Sequence, residues 1–303
     1  MFALTNRLQR ARFDSQVRAI VQTPPATLVR GLGVHLVSQL QHKDVRMYLL
    51  AAKSFLAQVP AGRVTVLDDG SLTGDDASLL QEHVPGLELR AIADFRSGCC
   101  PAGGTWERLL AIGEFCGEGY VIQLDSDTLS LGALPEVAAA ICGGASFAIG
   151  TWDNQTVEPM AQRAADARRL NPPDVTHVQV IAEKAFDRIE GAPGLRYVRG
   201  CSGFSGFAKG AFSRAFIEDF SSQMASLIGA KWSEWGSEQV MSNVAVANSP
   251  RATVLPHPKY CDCEHIGAGT AFVHFIGSCR FTGDTYARMA KQVIAGLQAH
   301  RQA

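Results

Sequence analysis

Residues 119–129 read Gly-Tyr-Val-Ile-Gln-Leu-Asp-Ser-Asp-Thr-Leu, and this stretch gives the clearest indication of the fold. The largely apolar run from Tyr120 to Leu124 is typical of a buried strand. Asp125 and Asp127 follow at once, so two carboxylates stand two residues apart where the strand ends. Turns favour Asp in any protein. After a buried strand, however, such a pair can also share a divalent cation and leave ligand positions for phosphate oxygens.

Strand and helix patterns alternate along the chain before this point. They predict strands at 33–37, 63–67, 87–92 and 120–124, and helices at 44–58, 77–83 and 105–116. Thr105 and Ser237 are the expected N-caps of two helices. This order predicts an α/β fold with a mainly parallel central sheet flanked by helices on both faces. Ligands bind beyond the carboxyl ends of such strands, where Asp68 and Asp69 form a second acidic pair.

The composition excludes several classes of protein. The 303 residues include 28 Lys plus Arg and 29 Asp plus Glu, so the net charge of −1 argues against a dedicated nucleic-acid binder. A hydrophobic share of 47% excludes a disordered chain. The length allows one or two domains. The motifs below favour a single unit over 1–303, with a nucleotide-binding half at about 30–130 and an acceptor-binding and carboxyl-terminal part at 131–303.

No signal-peptide pattern is visible. No membrane span is visible either, because the longest uncharged stretches fall short of the about 20 residues that a spanning helix needs. A cytoplasmic protein is expected, with at most peripheral contact to the inner face of the membrane. Residues 1–22 carry four Arg, one Asp and apolar positions from Phe2 to Val21. A surface helix for acidic lipid is conceivable. The irregular apolar spacing favours a helix that packs on the body.

The eight cysteines show no regular disulfide framework. Most are expected to be buried thiols in a reducing compartment. The segment with His257, Cys261, Cys263 and His265 could hold zinc, but its single-residue spacings make a closed tetrahedral site awkward.

The motif Asp125-Ser126-Asp127 resembles the D-x-D site of nucleotide-sugar-dependent glycosyltransferases with the GT-A fold. This resemblance implies a Rossmann-like central sheet that is mixed but mainly parallel. Three further segments resemble motifs of glycosyltransferase family 8, in the same order along the chain. Residues 105–109 (Thr-Trp-Glu-Arg-Leu) are similar to its aromatic-x-Arg-Leu helix, and residues 199–204 (Arg-Gly-Cys-Ser-Gly-Phe) to its Asn-Ser/Ala-Gly stretch. Residues 274–281 (His-Phe-Ile-Gly-Ser-Cys-Arg-Phe) are similar to its H-F-x-G-x-x-K-P-W motif.

This resemblance implies the main site residues. Asp125, Asp127 and His274 would hold Mn2+ or Mg2+, while Gly277 and Arg280 would bind the diphosphate of the donor. An ordinary turn for the two acids and a core position for His274 are the alternatives. Arg280 replaces the family's Lys and keeps both its charge and a fork that matches phosphate.

The other motifs imply contacts to the donor sugar and base. Arg108 would lie near the diphosphate-sugar, unless it sits on a solvated helix face, and Ser202 with Gly203 would stand near the sugar. The family's Asn is absent from that middle motif, and Phe281-Thr282 replaces its Pro-Trp pair.

The segment Asp68-Asp69-Gly70-Ser71 instead resembles the D-D-G-S turn of the inverting family 2 enzymes, in which an Asp contacts the nucleobase. Asp68 or Asp69 could take that role, or both could simply form the turn. The two resemblances together leave the stereochemical outcome open. Asp153, after an expected strand, is a further candidate contact to sugar or acceptor.

The stretch from Trp232 to Gln239 holds the candidate catalytic groups. Glu238 and Gln239 resemble the acidic-Gln pair that family 8 enzymes carry near the donor sugar, while Trp232 or Trp235 could stack on a sugar face. Glu234 is the competing carboxylate. The structural alternative is that Glu238 only stabilises the first turn of a helix.

The function expected from the sequence is metal-dependent transfer of a hexose from a nucleotide-diphosphate sugar to an acceptor hydroxyl. A UDP-sugar is the preferred donor, and the acceptor is a saccharide, lipid or protein. A sugar-phosphate nucleotidyltransferase is one alternative, but the G-x-G-[ST]-x-[RL] pattern does not follow the first strand. A non-catalytic nucleotide-sugar-binding relative is the other.

Overall fold

The computed structural model of the chain describes residues 2–299, with side chains from residue 8 onward, so the prediction for Phe2 lies outside the described side chains. The strands in this part are β1 (Val34–Leu40), β2 (Arg63–Asp68), β3 (Glu88–Ala91), β4 (Tyr120–Leu124), β5 (Thr128–Ser130), β6 (Phe147–Ile149), β7 (Glu158–Pro159), β8 (Arg196–Tyr197), β9 (Cys201–Phe207), β10 (Thr253–Leu255), β11 (Tyr260–Asp262) and β12 (Phe272–His274). The helices are α1 (Phe2–Val17), α2 (Val45–Leu56), α3 (Gly74–His83), α4 (Trp106–Phe115), α5 (Pro135–Gly143), α6 (Met160–Leu170), α7 (Val178–Ala185), α8 (Arg214–Ile228), α9 (Ser237–Ala247) and α10 (Thr285–Ala299).

Seven strands form the central sheet, in the order β10-β6-β9-β4-β1-β2-β3. Only β9 runs against its neighbours β4 and β6, and the other neighbouring pairs are parallel. The strands β11, β12 and β5 make a second small sheet, and β7 pairs with β8. The predicted α/β class with a mixed, mainly parallel sheet is therefore confirmed.

The central sheet is covered on both faces. Alternate residues of β4 face opposite ways, as in any strand. Ile122 and Leu124 pack into one core with residues of α2 and α10, whereas Val121 packs into the other with residues of α4 and α9. Burying each such side chain contributes about 1.5–3 kcal/mol, so the alternation fixes the register of the strand that ends at Asp125.

The amino-terminal helix packs on the body of the protein, as its irregular apolar spacing favours. Phe13, Val17 and Ile20 are buried, and the Phe13 ring lies 4.4 Å from that of Tyr286 at the start of α10. Within residues 2–299, no helix has both the length and the apolarity to cross a bilayer.

Most predicted elements form within a few residues of the expected bounds. Thr105 stands at the N-cap position of α4, as predicted, but the predicted N-cap Ser237 is wrong. Thr105 has a left-handed φ of 74° and makes no side-chain cap, and the cap position before α9 is Gly236, with a φ of 101°. Both side chains have tertiary partners instead. Thr105 Oγ1 donates to Glu238 Oε2 at 2.8 Å, and Ser237 Oγ accepts from Trp106 Nε1 at 2.9 Å. These bonds join α4 to α9.

The cysteines differ from the expectation. Cys263 and Cys279 form a disulfide with their Cα atoms 6.1 Å apart, and Cys99 and Cys142 are exposed. Cys116 and Cys261 are buried thiols, as predicted for most. Because Cys263 is bonded to Cys279, it offers no thiolate to a metal, and the conceivable zinc site around it does not form.

Candidate active site

A cavity of about 440 Å³ opens at the carboxyl ends of β1 and β4, where an α/β sheet is expected to bind its ligand. Most of the residues in its wall are of polar type, and they come from segments between Gln39 and Arg280. The wall includes the predicted site residues Arg108, Asp125, Asp127, Ser202, Glu238, Gln239, His274, Gly277 and Arg280.

Backbone pairing brings the acidic motif and His274 together. The amide of Asp125 donates to the carbonyl of Gly203 at 2.8 Å, which ties the end of β4 to β9. The carbonyl of Asp127 accepts from the Phe275 amide at 2.8 Å, and His274 lies opposite Thr128 in the β12–β5 register. Nε2 of His274 consequently lies 3.2 Å from Oδ1 of Asp127 and 3.6 Å from Oδ2 of Asp125.

These three side chains fit a divalent cation. One ligand atom from each lies within 4.8 Å of the other two. Two carboxylate oxygens and one imidazole nitrogen suit Mn2+ or Mg2+ and leave coordination positions for phosphate oxygens. Burial opposes the charge of Asp127, but His274 and Arg280 outweigh it and lower the pKa of this carboxyl. Asp127 is therefore ionised, as a metal ligand must be.

Two guanidinium groups stand beside the acidic pair. Arg108, on the first turns of α4 and only 2% exposed, pairs with Asp125 and also has Nη2 at 3.8 Å from Oε1 of Glu238. Arg280 pairs with Asp127 and donates from Nε to the carbonyl of Phe275 at 3.1 Å. The solvated helix face considered for Arg108 is thus wrong, because this side chain is buried in the cavity wall.

Glu238 is the buried carboxyl of the site, at the amino-terminal end of α9. Its Oε2 accepts from Thr105 at 2.8 Å and from Ser202 at 3.4 Å, while Oε1 has no hydrogen-bond partner among the described residues. Burial raises the pKa of Glu238 to about 7, although Arg108 partly opposes the shift. The group can therefore hold or release a proton near neutral pH.

Gln239, next along α9, connects the other walls of the cavity. Its Oε1 accepts from the Ser202 amide at 3.3 Å, and its Nε2 donates to Gln179 of α7 at 3.4 Å. Gly203 does not line the cavity but lies directly behind His274.

Four predicted side chains lie away from the cavity lining. Asp68 Oδ1 accepts from the Gly70 amide at 2.8 Å, and Asp69 Oδ1 accepts from the Ser71 amide at 3.0 Å, so both close their own turn. The other two pair at the surface, at 2.8 Å between Lys231 and Glu234 and at 2.7 Å between His257 and Asp153. Trp232 is also excluded from stacking on a ligand, because it is 1% exposed.

Two parts of the cavity wall were not predicted from the sequence. The end of β1 and the residues after it contribute Gln39, Gln41, Lys43 and Asp44. The predicted strand ended at Val37, whereas β1 continues to Leu40. The residues at and after the end of β1 were therefore not recognised as part of the cavity wall. The start of α7 contributes His177 and Gln179, which no motif marked.

No protein-family model matches the chain. A search of curated proteins also returned no match. Among solved structures, an active-site mutant of LgtC aligns with 86% of this chain and 95% of its own, at 12% identity and a TM-score of 0.52. The bifunctional glycosyltransferase WbbM aligns with 89% of this chain at 12% identity and a TM-score of 0.50. The aligned part covers 51% of the WbbM chain, so this protein matches about half the length of that one.

Identities this low establish the fold and nothing finer. The mainly parallel sheet with helices on both faces agrees with these neighbours. The chain has the GT-A fold of glycosyltransferases.

Proposed function

We propose that this protein is a metal-dependent glycosyltransferase that moves a hexose from a nucleotide-diphosphate sugar, preferably a UDP-sugar, to an acceptor hydroxyl. The observation that carries the proposal is the convergence of Asp125, Asp127 and His274 beside two guanidinium groups in one cavity. Residues at about 30–130 would bind the nucleotide, and the later part would receive the acceptor.

The positive groups would act on the leaving diphosphate. Asp125, Asp127 and His274 would hold Mn2+ or Mg2+, which when bound supplies charge to the phosphate oxygens. Arg108 and Arg280 are held next to the same place and would add fixed charge there. Such preorganised charge stabilises the transition state, in which the leaving group gains negative charge, more than the ground state.

Glu238 would act on the sugar side of the reaction. Its carboxylate, close to Arg108 and facing the cavity, would stabilise positive charge that develops at the anomeric carbon. In an inverting reaction the same group would take the proton of the acceptor hydroxyl. In a retaining reaction the departing phosphate would take that proton on the same face. The anomer of the product distinguishes the two.

Metal and donor binding test the proposal most directly. Asp125→Asn with Asp127→Asn removes both carboxylate charges at almost constant shape. This double variant should lose the stabilisation that Mn2+ together with a UDP-sugar or GDP-sugar gives the native protein, as well as metal-dependent donor hydrolysis. Asp153→Asn, an exposed aspartate outside the cavity lining, is the matched control.

The alternatives give different results. Stabilisation by a nucleoside triphosphate, but not by nucleotide sugars, would favour a nucleotidyltransferase. Donor binding without hydrolysis or transfer to any acceptor would favour a non-catalytic relative. Unchanged hydrolysis in the double variant would refute the metal assignment.

A further inference from the structure

The His274 ring is held from one side by two residues of β9. Its Nδ1 lies 2.9 Å from Sγ of Cys201, whereas the other ring nitrogen, Nε2, faces Asp125 and Asp127. A methyl group built on Gly203 would overlap the ring atoms Cε1, Nδ1 and Nε2. Gly203 does not have a left-handed φ, so glycine is needed here for space and not for backbone conformation.

The alternation of β9 explains this contact. Residues two apart on a strand face the same way, so Cys201 and Gly203 both meet the His274 ring. Ser202 between them faces the other way, toward Glu238. The same strand accepts the Asp125 amide through the Gly203 carbonyl. One short segment therefore contacts both the acidic motif and the imidazole.

The backbone alone does not aim the imidazole. Pairing of β12 with β5 and β11 fixes the main chain at His274, but the ring can still rotate about its side-chain bonds. A cation needs the free electron pair of Nε2, and in a neutral imidazole this requires the proton to be on Nδ1. A sulfur 2.9 Å from Nδ1 can accept that proton in a hydrogen bond.

We propose that Cys201 and Gly203 are positioning residues, which hold the His274 ring in the rotation and tautomer that present Nε2 to the cation. Cys201 selects the tautomer by accepting from Nδ1, and Gly203 leaves the space into which the ring packs. This inference rests on the metal site of the proposed function. Partners of this kind beyond the ligands themselves change metal affinity by about 10–100-fold when they are removed.

The first test measures Mn2+ binding to the protein without donor, by the electron paramagnetic resonance signal of the free ion. Cys201→Ala should weaken Mn2+ binding about tenfold or more. Cys201→Ser should keep most of the affinity, because a hydroxyl oxygen also accepts from Nδ1. Cys142→Ala, at an exposed free cysteine, is the matched control and should bind Mn2+ like the native protein.

Gly203→Ala tests the packing half of the proposal. The added methyl should push the ring out of place and weaken Mn2+ binding about as much as His274→Ala does. Gly132→Ala is the control, since its new methyl would have no atom within 4 Å. If Gly203→Ala does not fold, the comparison of Cys201→Ala with Cys201→Ser still tests whether β9 positions the His274 ring.

A second readout is independent of metal binding and of activity. The 15N shifts of the His274 ring, assigned with His274→Asn and followed without metal at a pH high enough that the ring has lost its second proton, report which nitrogen carries the remaining one. The native protein and Cys201→Ser should carry it on Nδ1, and Cys201→Ala should move it toward Nε2. If the native protein binds no Mn2+, the metal assignment fails, while these shifts still decide the role of Cys201.

Two results would overturn the inference. One is a Cys201→Ala variant whose Mn2+ affinity and ring tautomer both equal those of the native protein. The other is a sulfur-to-metal charge-transfer band with Co2+ that disappears in Cys201→Ser, because Cys201 would then be a ligand and not a positioning residue.

Discussion

At the scale of single residues, Glu238 is a carboxyl group whose charge is disfavoured by its surroundings. It is 3% exposed, and Oε1 lacks a hydrogen-bond partner among the described residues. The nearby guanidinium of Arg108 only partly offsets the loss of water, so burial raises the pKa of Glu238 from 4.5 to about 7. The folded protein consequently keeps a proton that the unfolded chain gives up.

The free energy of unfolding should therefore depend on Glu238 between pH 4.5 and about 7. In this window the folded state binds more protons than the unfolded state, so the stability from this group is full below pH 4.5 and decreases as the pH rises. The shift corresponds to about 3 kcal/mol. Glu238→Gln, which cannot ionise, should remove this part of the pH dependence in urea titrations over the same window.

Glu234→Gln is the control for that measurement, since this carboxyl lies at the surface three residues outside α9 and pairs with Lys231. It should keep the native pH profile. A Glu238→Gln variant whose stability follows the same pH profile as the native protein would contradict the buried, protonated state of the group.

At the scale of elements, the amino-terminal helix α1 supports the segment that carries Arg280. The Phe13 ring lies 5.4 Å from the ring of Phe281, the residue after Arg280, and 4.4 Å from that of Tyr286. Arg10 of the same helix donates to Asp44 of the cavity wall at 2.6 Å. This helix thus contacts both the segment next to Arg280 and the cavity wall at Asp44.

We expect Phe13→Ala to destabilise the protein by about 3–5 kcal/mol, because it removes a buried aromatic ring and leaves a cavity. It should also weaken binding of a nucleoside diphosphate, since the segment with Phe281 and Arg280 loses support. Urea denaturation and calorimetric titration with UDP and Mn2+ measure the two effects.

Leu8→Ala on the same helix is the control, because Leu8 is 66% exposed and its truncation should change stability by less than about 0.5 kcal/mol. Equal losses of stability in Phe13→Ala and Leu8→Ala would show that the packing of α1 on the body does not depend on the buried Phe13 ring.

At the scale of the whole molecule, the cavity exists only because distant segments meet. Its lining comes from the end of β1, the start of α4, the turn after β4, the starts of α7 and α9, and the segment after β12. Trp235, 82% exposed, lines the cavity next to Gly236 and near Glu238. An exposed indole beside polar side chains is suited to stack on the apolar face of a sugar ring.

Trp235→Ala should therefore raise the KM for a saccharide acceptor, while the dissociation constant of the donor changes little. The physical reason is the loss of stacking area in the proposed acceptor-binding part of the chain. Trp235→Phe keeps an aromatic face and should recover part of the affinity. Steady-state kinetics with varied acceptor measure the effect, and an unchanged acceptor KM in Trp235→Ala would place the acceptor elsewhere.

How far the candidate site could be predicted depended on the range of the contacts. Asp125 and Asp127 follow a strand that the sequence marks clearly, so their place at the sheet edge needs only local information. Asp68 and Asp69 follow a strand just as clear, yet they turn back on their own backbone amides. In both cases the local sequence shows the same pattern, which is a pair of carboxylates at the end of a clear strand. Only the neighbours in space distinguish a ligand pair from a turn.

The predicted capping bonds of Thr105 and Ser237 do not form, for a related reason. A Thr or Ser before a helical pattern is a good cap because it can bond to the local backbone. Thr105 and Ser237 instead bond across the gap between α4 and α9. Contacts between residues more than 100 positions apart leave no trace in a local pattern. The contacts of Glu238 with Thr105 and Arg108 could not be foreseen for the same reason.

By itself, the sequence determined the alternation of elements and hence the α/β class, because hydrophobic period and length depend on neighbouring residues alone. It also determined that two carboxylates follow β4 and that His274 lies within a short apolar run. The tertiary structure alone decided that β9 runs antiparallel between β4 and β6, with Cys201 and Gly203 against the His274 ring. Strand order and side-chain contacts arise from packing over the whole chain, and this packing sets the geometry of the site.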